Sequence, residues 1–213
     1  GLRSAEGMTG PRRLRSALVC AVVALAVAVP GVLAATSPLL AWRDGIYIAG
    51  CLAGVAALAL LLLQPLLAGG YLPGLRIRRG RAVHAWVGGV LVAAVALHVA
   101  ALWLTSPPDV IDALLFRSPT PFSVWGVVAM WAVFSTGLLA ALRRSQRPRI
   151  WRLGHTVLAV VIVVATSVHA LLIDGTMEPV SKAVLCALVL AATAMVMRDV
   201  RLPALLRRPF GGA

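Results

Sequence analysis

Long uninterrupted apolar segments constrain this chain more than any other feature of its sequence. Of its 213 residues, 61% are hydrophobic and only 13% are charged, and the mean hydropathy is +0.94. Several apolar runs exceed the roughly 18 residues that an α-helix needs to cross a bilayer. Because these runs are continuous rather than alternating, they predict helices and not strands. We therefore predict an all-α, polytopic membrane protein.

The apolar runs divide the chain into six predicted transmembrane helices joined by loops. The predicted spans are residues 14–35, 40–67, 82–104, 122–142, 153–173 and 179–197. They form one membrane domain, residues 14–198, between an N-terminal segment, 1–13, and a short basic tail, 199–213. Residues 1–7 precede Met8 and are interpreted as a candidate cloning remnant. A signal peptide is the competing interpretation of the first span, although its apolar run is long for one.

The distribution of charge predicts the orientation of the six helices. The side that carries both termini holds 17 of the 20 basic residues but two of the seven acidic residues. The positive-inside rule therefore places both termini in the cytoplasm. Topology alone explains why the basic residues lie between spans, so the net charge of +13 does not indicate a nucleic-acid partner. The expected surroundings are membrane lipid.

The four histidines of the chain form two pairs of equal spacing. His84 and His98 lie in the third span, His155 and His169 in the fifth, and fourteen residues separate the members of each pair. Fourteen residues make about four helical turns, or roughly 21 Å, so both rings of a pair face the same neighbour. Because the third and fifth spans run in the same direction, His84 matches His155 near the cytoplasmic face. His98 matches His169 near the outer face.

This arrangement predicts two stacked metal macrocycles rather than a bare metal ion. A lone buried histidine is usually a packed core residue, but ionisable residues inside membrane helices more often mark function. A tetrahedral zinc site needs its ligands close together, and harder cations prefer carboxylates, which are confined here to the loops and the ends of the spans. Haem iron with imidazole on both sides transfers electrons without binding oxygen at the metal. The four histidines are therefore predicted to hold two haem groups, and a proton or metal-ion path remains the alternative.

Four further residues are candidates for contact with these cofactors. Gly88 lies four residues after His84 and either leaves room for a macrocycle or allows close helix packing. Arg79, Arg81 and Arg152 lie near the cytoplasmic face and either pair with haem propionates or serve only as topology charges.

Two local motifs resemble the ferric reductase transmembrane domain superfamily. The first is Arg78-Arg79-Gly80-Arg81-Ala82-Val83-His84 with His98. The second is Trp151-Arg152-Leu153-Gly154-His155 with His169, preceded by a helix that ends in Ser135-Thr136-Gly137. The superfamily includes ferric reductases, NADPH oxidases and the haem-bearing membrane subunit of the bacterial periplasmic methionine sulfoxide reductase system.

The resemblance covers about residues 40–198. It implies a six-helix bundle in a bacterial-type inner membrane, with two b-type haems on the four histidines and electrons moving from the cytoplasmic side outward. Cytochrome b of quinol-oxidising complexes has a similar layout of two helices and two haems but is a weaker match.

The expected donor and acceptor lie outside the membrane domain. Superfamily members that use NAD(P)H append a flavin and nicotinamide module after the sixth span. Here about fifteen residues follow it, and no glycine-rich nucleotide fingerprint occurs. Electrons are therefore expected from a separate flavoprotein, from FMN or FAD bound on the cytoplasmic side, or from a membrane quinol. The acceptor is ferric iron, a periplasmic oxidoreductase such as methionine sulfoxide reductase, or oxygen.

Two other classes of function remain open. In one, the haems are structural or sensory and serve a partner complex. In the other, the protein is a haem-free proton or metal transporter.

Overall fold

The computed structural model describes residues 10–201, and this part of the chain is helical, without a β-strand. The helices are α1 (Gly10–Ala35), α2 (Gly45–Gly69), α3 (Ile77–Thr105), α4 (Pro107–Leu114), α5 (Pro121–Ala141), α6 (Pro148–Leu172) and α7 (Pro179–Val196). A 3₁₀ turn, Pro38–Leu40, follows α1, another, Leu142–Ser145, follows α5, and a π turn, Met197–Arg201, follows α7. Most of the basic tail, including Arg207 and Arg208, lies outside the described residues.

The predicted number of spans is confirmed. Six of these helices, all except α4, are long and apolar enough to cross a membrane, with mean hydropathies of 1.8 to 2.7 over their most apolar windows. Large apolar side chains such as Leu14, Trp86 and Leu138 are exposed along them. Such exposure is expected for helices that lipid surrounds, because lipid tails are as apolar as the side chains.

Three predicted helix starts are corrected by several residues. The second span begins at Gly45 rather than at residue 40, because the carboxylate of Asp44 caps it by accepting from the Ile46 N–H at 2.7 Å. The third begins at Ile77 rather than at residue 82, and its first turn contains arginines. The fifth begins at Pro148, a favourable first helical residue, rather than at residue 153.

The turn between α2 and α3 depends on glycine. Gly70 ends α2 with a φ of 71°, a left-handed conformation that glycine adopts at little cost. Its N–H faces the carbonyls of Leu66 and Leu67, and Gly74 supplies a second positive φ, 77°. The chain thereby reverses within a few residues and brings the start of α3 back against the end of α2.

Two helix hairpins form the frame of the bundle. α3 packs chiefly against α2, and α6 packs chiefly against α5. α7 lies between α2 and α6, α1 covers the outside of α2 and α7, and a smaller contact between α3 and α5 links the hairpins. The buried core joins residues of α2, α3, α5, α6 and α7, including Leu58, Leu91, Val133, Ile162 and Val189.

Among the residues whose burial is described, Lys182 of α7 is the one buried cation. Its ammonium Nζ donates to the carbonyl of Ile173, the C-cap of α6, at 2.6 Å. A cation near the carbonyl end of a helix is favoured by the helix dipole. Glu178 caps the start of α7, and the backbone N–H groups of Ser181 and Val180 lower the pKa of its carboxyl. These contacts stabilise the turn between α6 and α7.

We expect Lys182→Met to lower the free energy of unfolding by about 1–3 kcal/mol, because it leaves the buried Ile173 carbonyl without its charged donor. Thermal or SDS-induced unfolding of the detergent-purified protein measures the change. Val184→Ala, at a position 52% exposed on the same helix, is the control. Equal stability of the Lys182 variant and the control would contradict a fastening role.

Candidate functional site

The histidines occupy equivalent positions in two different helices. His84 is the eighth residue of α3, and His155 is the eighth residue of α6. His98 and His169 are each the twenty-second residue of the same helices. The early starts of α3 and α6 therefore place each predicted pair at one depth. Below, the first two are called the inner pair and the last two the outer pair.

Backbone carbonyls hold both rings of the outer pair. Nδ1 of His98 lies 2.7 Å from the carbonyl oxygen of Gly50 on α2. Nδ1 of His169 lies 2.8 Å from the carbonyl oxygen of Phe122 on α5. Since a carbonyl only accepts, each Nδ1 must carry the proton and donate. Nε2 of each neutral ring then keeps its lone pair, which is the state that binds a metal.

The inner pair is brought together across the space between α3 and α6. Nδ1 of His84 donates to the carbonyl oxygen of Gln64 on α2 at 3.2 Å. The His84 and His155 rings have centroids 6.1 Å apart and planes inclined at 72°. Imidazole–metal bonds are about 2.0–2.1 Å long, so two imidazoles on opposite sides of one metal ion have centroids ~6 Å apart. The inner spacing fits that arrangement.

Two glycines that the sequence analysis did not single out make room for the outer rings. A Cβ atom on Gly54 would lie 3.0 Å from Nδ1 of His98, and one on Gly126 would lie 2.6 Å from Cε1 of His169. Each glycine follows the acceptor carbonyl by four residues. Helical side chains tilt toward the N-terminus, so the residue at i+4 covers the carbonyl of residue i. Glycine at that position uncovers the carbonyl for a second donor.

The inner site lacks this opening on α2. The residue four positions after Gln64 is Ala68, so a methyl group stands at the position where the outer sites have glycine. The His84 hydrogen bond is longer than those of the outer rings, at 3.2 Å against 2.7 and 2.8 Å. The longer bond agrees with the same steric rule.

The four further residues that the sequence predicts to contact the cofactors do not all lie against the histidines. A Cβ atom on Gly88 would lie 3.6 Å from Nε2 of Gln64, an ordinary contact, so Gly88 faces the α2 side chain nearest the inner pair. Arg79, Arg81 and Arg152 are exposed and form no ion pair with the described residues. Their roles beside a macrocycle and its propionates stay predictions.

A stack of side chains on the inner pair is a further feature that the sequence analysis missed. The Trp151 ring lies parallel to the His155 ring, with centroids 5.3 Å apart and planes 15° apart. The guanidinium carbon of Arg143 lies 5.1 Å from the Trp151 ring centroid. The four-residue separation of Trp151 and His155 on one helix was the signal available in the sequence, because it places both on one face.

Within the described residues, no group of three or more His, Cys, Asp or Glu side chains is placed to hold a bare metal ion. Each layer instead offers two imidazoles, a donor set too small for a bare metal ion but sufficient for a metal that a macrocycle already holds. Axial imidazole pairs of this kind suit haem iron.

A family comparison agrees with this geometry. The family model of the ferric reductase like transmembrane component matches residues 53–166, which is more than half of the chain. The chain belongs to this family. The matched region contains both inner histidines and His98, and His169 lies three residues beyond it. Searches of curated proteins and of solved structures each found no match.

Membership of the ferric reductase like family supports transmembrane electron transfer in general, and its domains generally bind haem. The resemblance noted in the two sequence motifs is thereby confirmed.

We expect Gly126→Ala to displace the His169 ring and to break its hydrogen bond to the Phe122 carbonyl. Overpacking of this kind costs about 1–3 kcal/mol, and Gly54→Ala should act in the same direction on His98. The measurement is the thermal stability of the detergent-purified protein. Gly89→Ala is the matched control, because nothing lies within 4 Å of its added Cβ atom. Wild-type behaviour of Gly126→Ala would contradict the close fit of ring and helix.

Proposed function

We propose that the protein carries electrons across the membrane through two haem b groups in series. His84 and His155 hold the inner haem, and His98 and His169 hold the outer one. Haem iron with an imidazole on each side accepts and releases single electrons without a change of ligand. The observation that carries this proposal is the set of Nδ1–H···O=C hydrogen bonds, which direct Nε2 of the bonded rings away from α2 and α5.

The chain's own residues supply three things to this process. The carbonyls of Gln64, Gly50 and Phe122 fix the tautomer and orientation of their histidines. The helix register sets the two layers roughly 21 Å apart, on opposite sides of the bilayer centre. The apolar core of the bundle provides the low-dielectric surroundings in which a neutral imidazole is favoured over a charged one.

The charge distribution supports the orientation of the bundle. The chain segments next to the inner pair carry a dense set of arginines, called the basic end: Arg76, Arg78, Arg79, Arg81, Arg143, Arg144, Arg147, Arg149 and Arg152. The segments next to the outer pair carry Asp109, Asp112, Asp174 and Glu178. The positive-inside rule supports a cytoplasmic basic end. The direction of transfer rests on the family resemblance, which implies electrons moving outward from the cytoplasmic side. In this proposal the donor, a separate flavoprotein, a bound flavin or a quinol, reduces the inner site, and the acceptor meets the outer site.

The visible spectrum of detergent-purified protein, oxidised and dithionite-reduced, tests this proposal together with the haem content per chain. We expect two low-spin b-type haems per protein. One haem would contradict the assignment of one pair. A protein without haem after expression with an adequate haem supply would overturn the proposal and favour the proton or metal path.

We expect His98→Ala to empty the outer site and to leave the inner haem in place, because the two layers are held by separate carbonyls and separate helix turns. The variant should bind about one haem and lose electron transfer to an acceptor on the outer side. Haem stoichiometry in detergent and reduction of an outside acceptor in proteoliposomes measure the two effects. Equal loss of both haems would contradict independent layers.

A further inference from the structure

Three side chains form a continuous stack from the basic end to the inner histidine pair. The guanidinium group of Arg143 lies over the Trp151 ring, and the Trp151 ring lies parallel to the His155 ring. The His155 ring in turn faces His84 at 6.1 Å between centroids. We call Arg143, Trp151 and His155 the relay stack. It connects the arginine-bearing turn to the candidate ligand ring through two ring contacts.

Stacking rather than hydrogen bonding positions Trp151. Its indole Nε1 is buried and has no hydrogen-bond partner among the described residues. Leaving a buried N–H without an acceptor is unfavourable, and such groups in folded proteins call for an explanation. Here the two ring faces have specific neighbours, an imidazole and a guanidinium, whereas the N–H has none. The contribution of Trp151 therefore comes from its π face.

Arg143 connects this ring to the surface. It is exposed and lies in the 3₁₀ turn Leu142–Ser145 between α5 and α6. A guanidinium over an indole face is a favourable cation–π contact. The surrounding arginines of the basic end create a positive field, which raises the local concentration of anions and speeds their association. An anionic donor drawn to this end can contact Arg143, which is exposed and lies over the ring of Trp151.

From this geometry we propose that the relay stack is the site where an anionic reductant delivers electrons to the inner histidine pair. Arg143 attracts the donor and holds the indole, and Trp151 is a positioning residue that links the donor to His155. His84 and His155 would hold the haem that takes up the single electron which the donor loses. No bond forms or breaks, and no proton moves at Trp151. This inference rests on the proposed function.

Charge selectivity tests the role of Arg143. The haem-loaded, detergent-purified protein is mixed in a stopped-flow instrument with reduced anthraquinone-2,6-disulfonate, an anion, or with reduced methyl viologen, a cation. We expect Arg143→Gln to slow reduction by the anion about threefold to tenfold and not to slow reduction by the cation. Arg144→Gln removes the same charge from the neighbouring position without touching Trp151, and it should have a clearly smaller effect. Equal effects of the two variants would overturn the role of Arg143.

Ring chemistry tests the role of Trp151. We expect Trp151→Leu to slow reduction by both donors at least about tenfold, while haem content and midpoint potentials stay at wild-type values. Trp151→Phe keeps an aromatic face and loses only the unused N–H, so it should restore most of the rate. Trp86→Leu, an exposed tryptophan two residues after His84, is the control for loss of an indole at this end.

Wild-type reduction rates in Trp151→Leu would overturn the relay stack. If that variant loses haem, Trp151→Phe decides: a haem-loaded Trp151→Phe protein that is reduced about tenfold more slowly than the wild type by both donors would also overturn it. The two proposals fail separately. A wild-type protein without haem contradicts the proposed function, whereas a protein with two haems and unaffected Trp151 variants contradicts only the relay stack.

Discussion

The hydrogen bond from a histidine Nδ1–H to a helix carbonyl is the interaction on which the arrangement of the site depends. A helix carbonyl already accepts from the N–H four residues later, so its second lone pair must be both uncovered and within reach. Gly54 and Gly126 uncover the carbonyls of Gly50 and Phe122, and the outer rings approach to 2.7 and 2.8 Å. One bond thereby fixes the tautomer, the ring direction and the distance between two helices. In a low-dielectric interior, few other groups are available for that purpose.

The same interaction explains why the bundle consists of two hairpins rather than six equivalent helices. α2 and α5 provide the acceptor carbonyls, and α3 and α6 provide the histidine rings. α3 must therefore pack against α2, and α6 must pack against α5. The two outer units are similar in detail, since an acceptor, a glycine four residues later and a histidine on the next long helix occur in both. α7 fills the space between α2 and α6 with small and medium apolar residues such as Val189 and Ala192. The hairpins are thus held at a spacing that leaves the histidine rings facing one another.

The histidine layers could be predicted from the sequence because they depend only on spacing along a helix and on the direction of the spans. A separation of fourteen residues and a single span between the two histidine-bearing spans, which makes them run in the same direction, are sufficient for that inference. The glycines that make room for the histidine rings could not be predicted in this way. α2 is apolar on all sides, so no polar stripe indicates which of its glycines faces α3. Gly54 lies against the His98 ring only because of the way α2 packs against α3, and that packing is a tertiary property. Gly88, four residues from a histidine on the same helix, was an easier residue to notice, yet it faces Gln64.

The helix starts show a second limit of the same kind. Arg78, Arg79 and Arg81 precede the apolar run of the third span, so hydropathy alone predicts that this span begins after them. Backbone hydrogen bonding has no such preference, and arginine is a good helix former. The helix consequently continues out of the apolar region to Ile77, and α6 likewise continues to Pro148. These extra turns are what place Trp151 on the helix that carries His155, one turn nearer the basic end. Had α6 begun where its apolar run begins, the indole would lie in a loop, and the parallel contact with the imidazole would have no helical geometry to fix it.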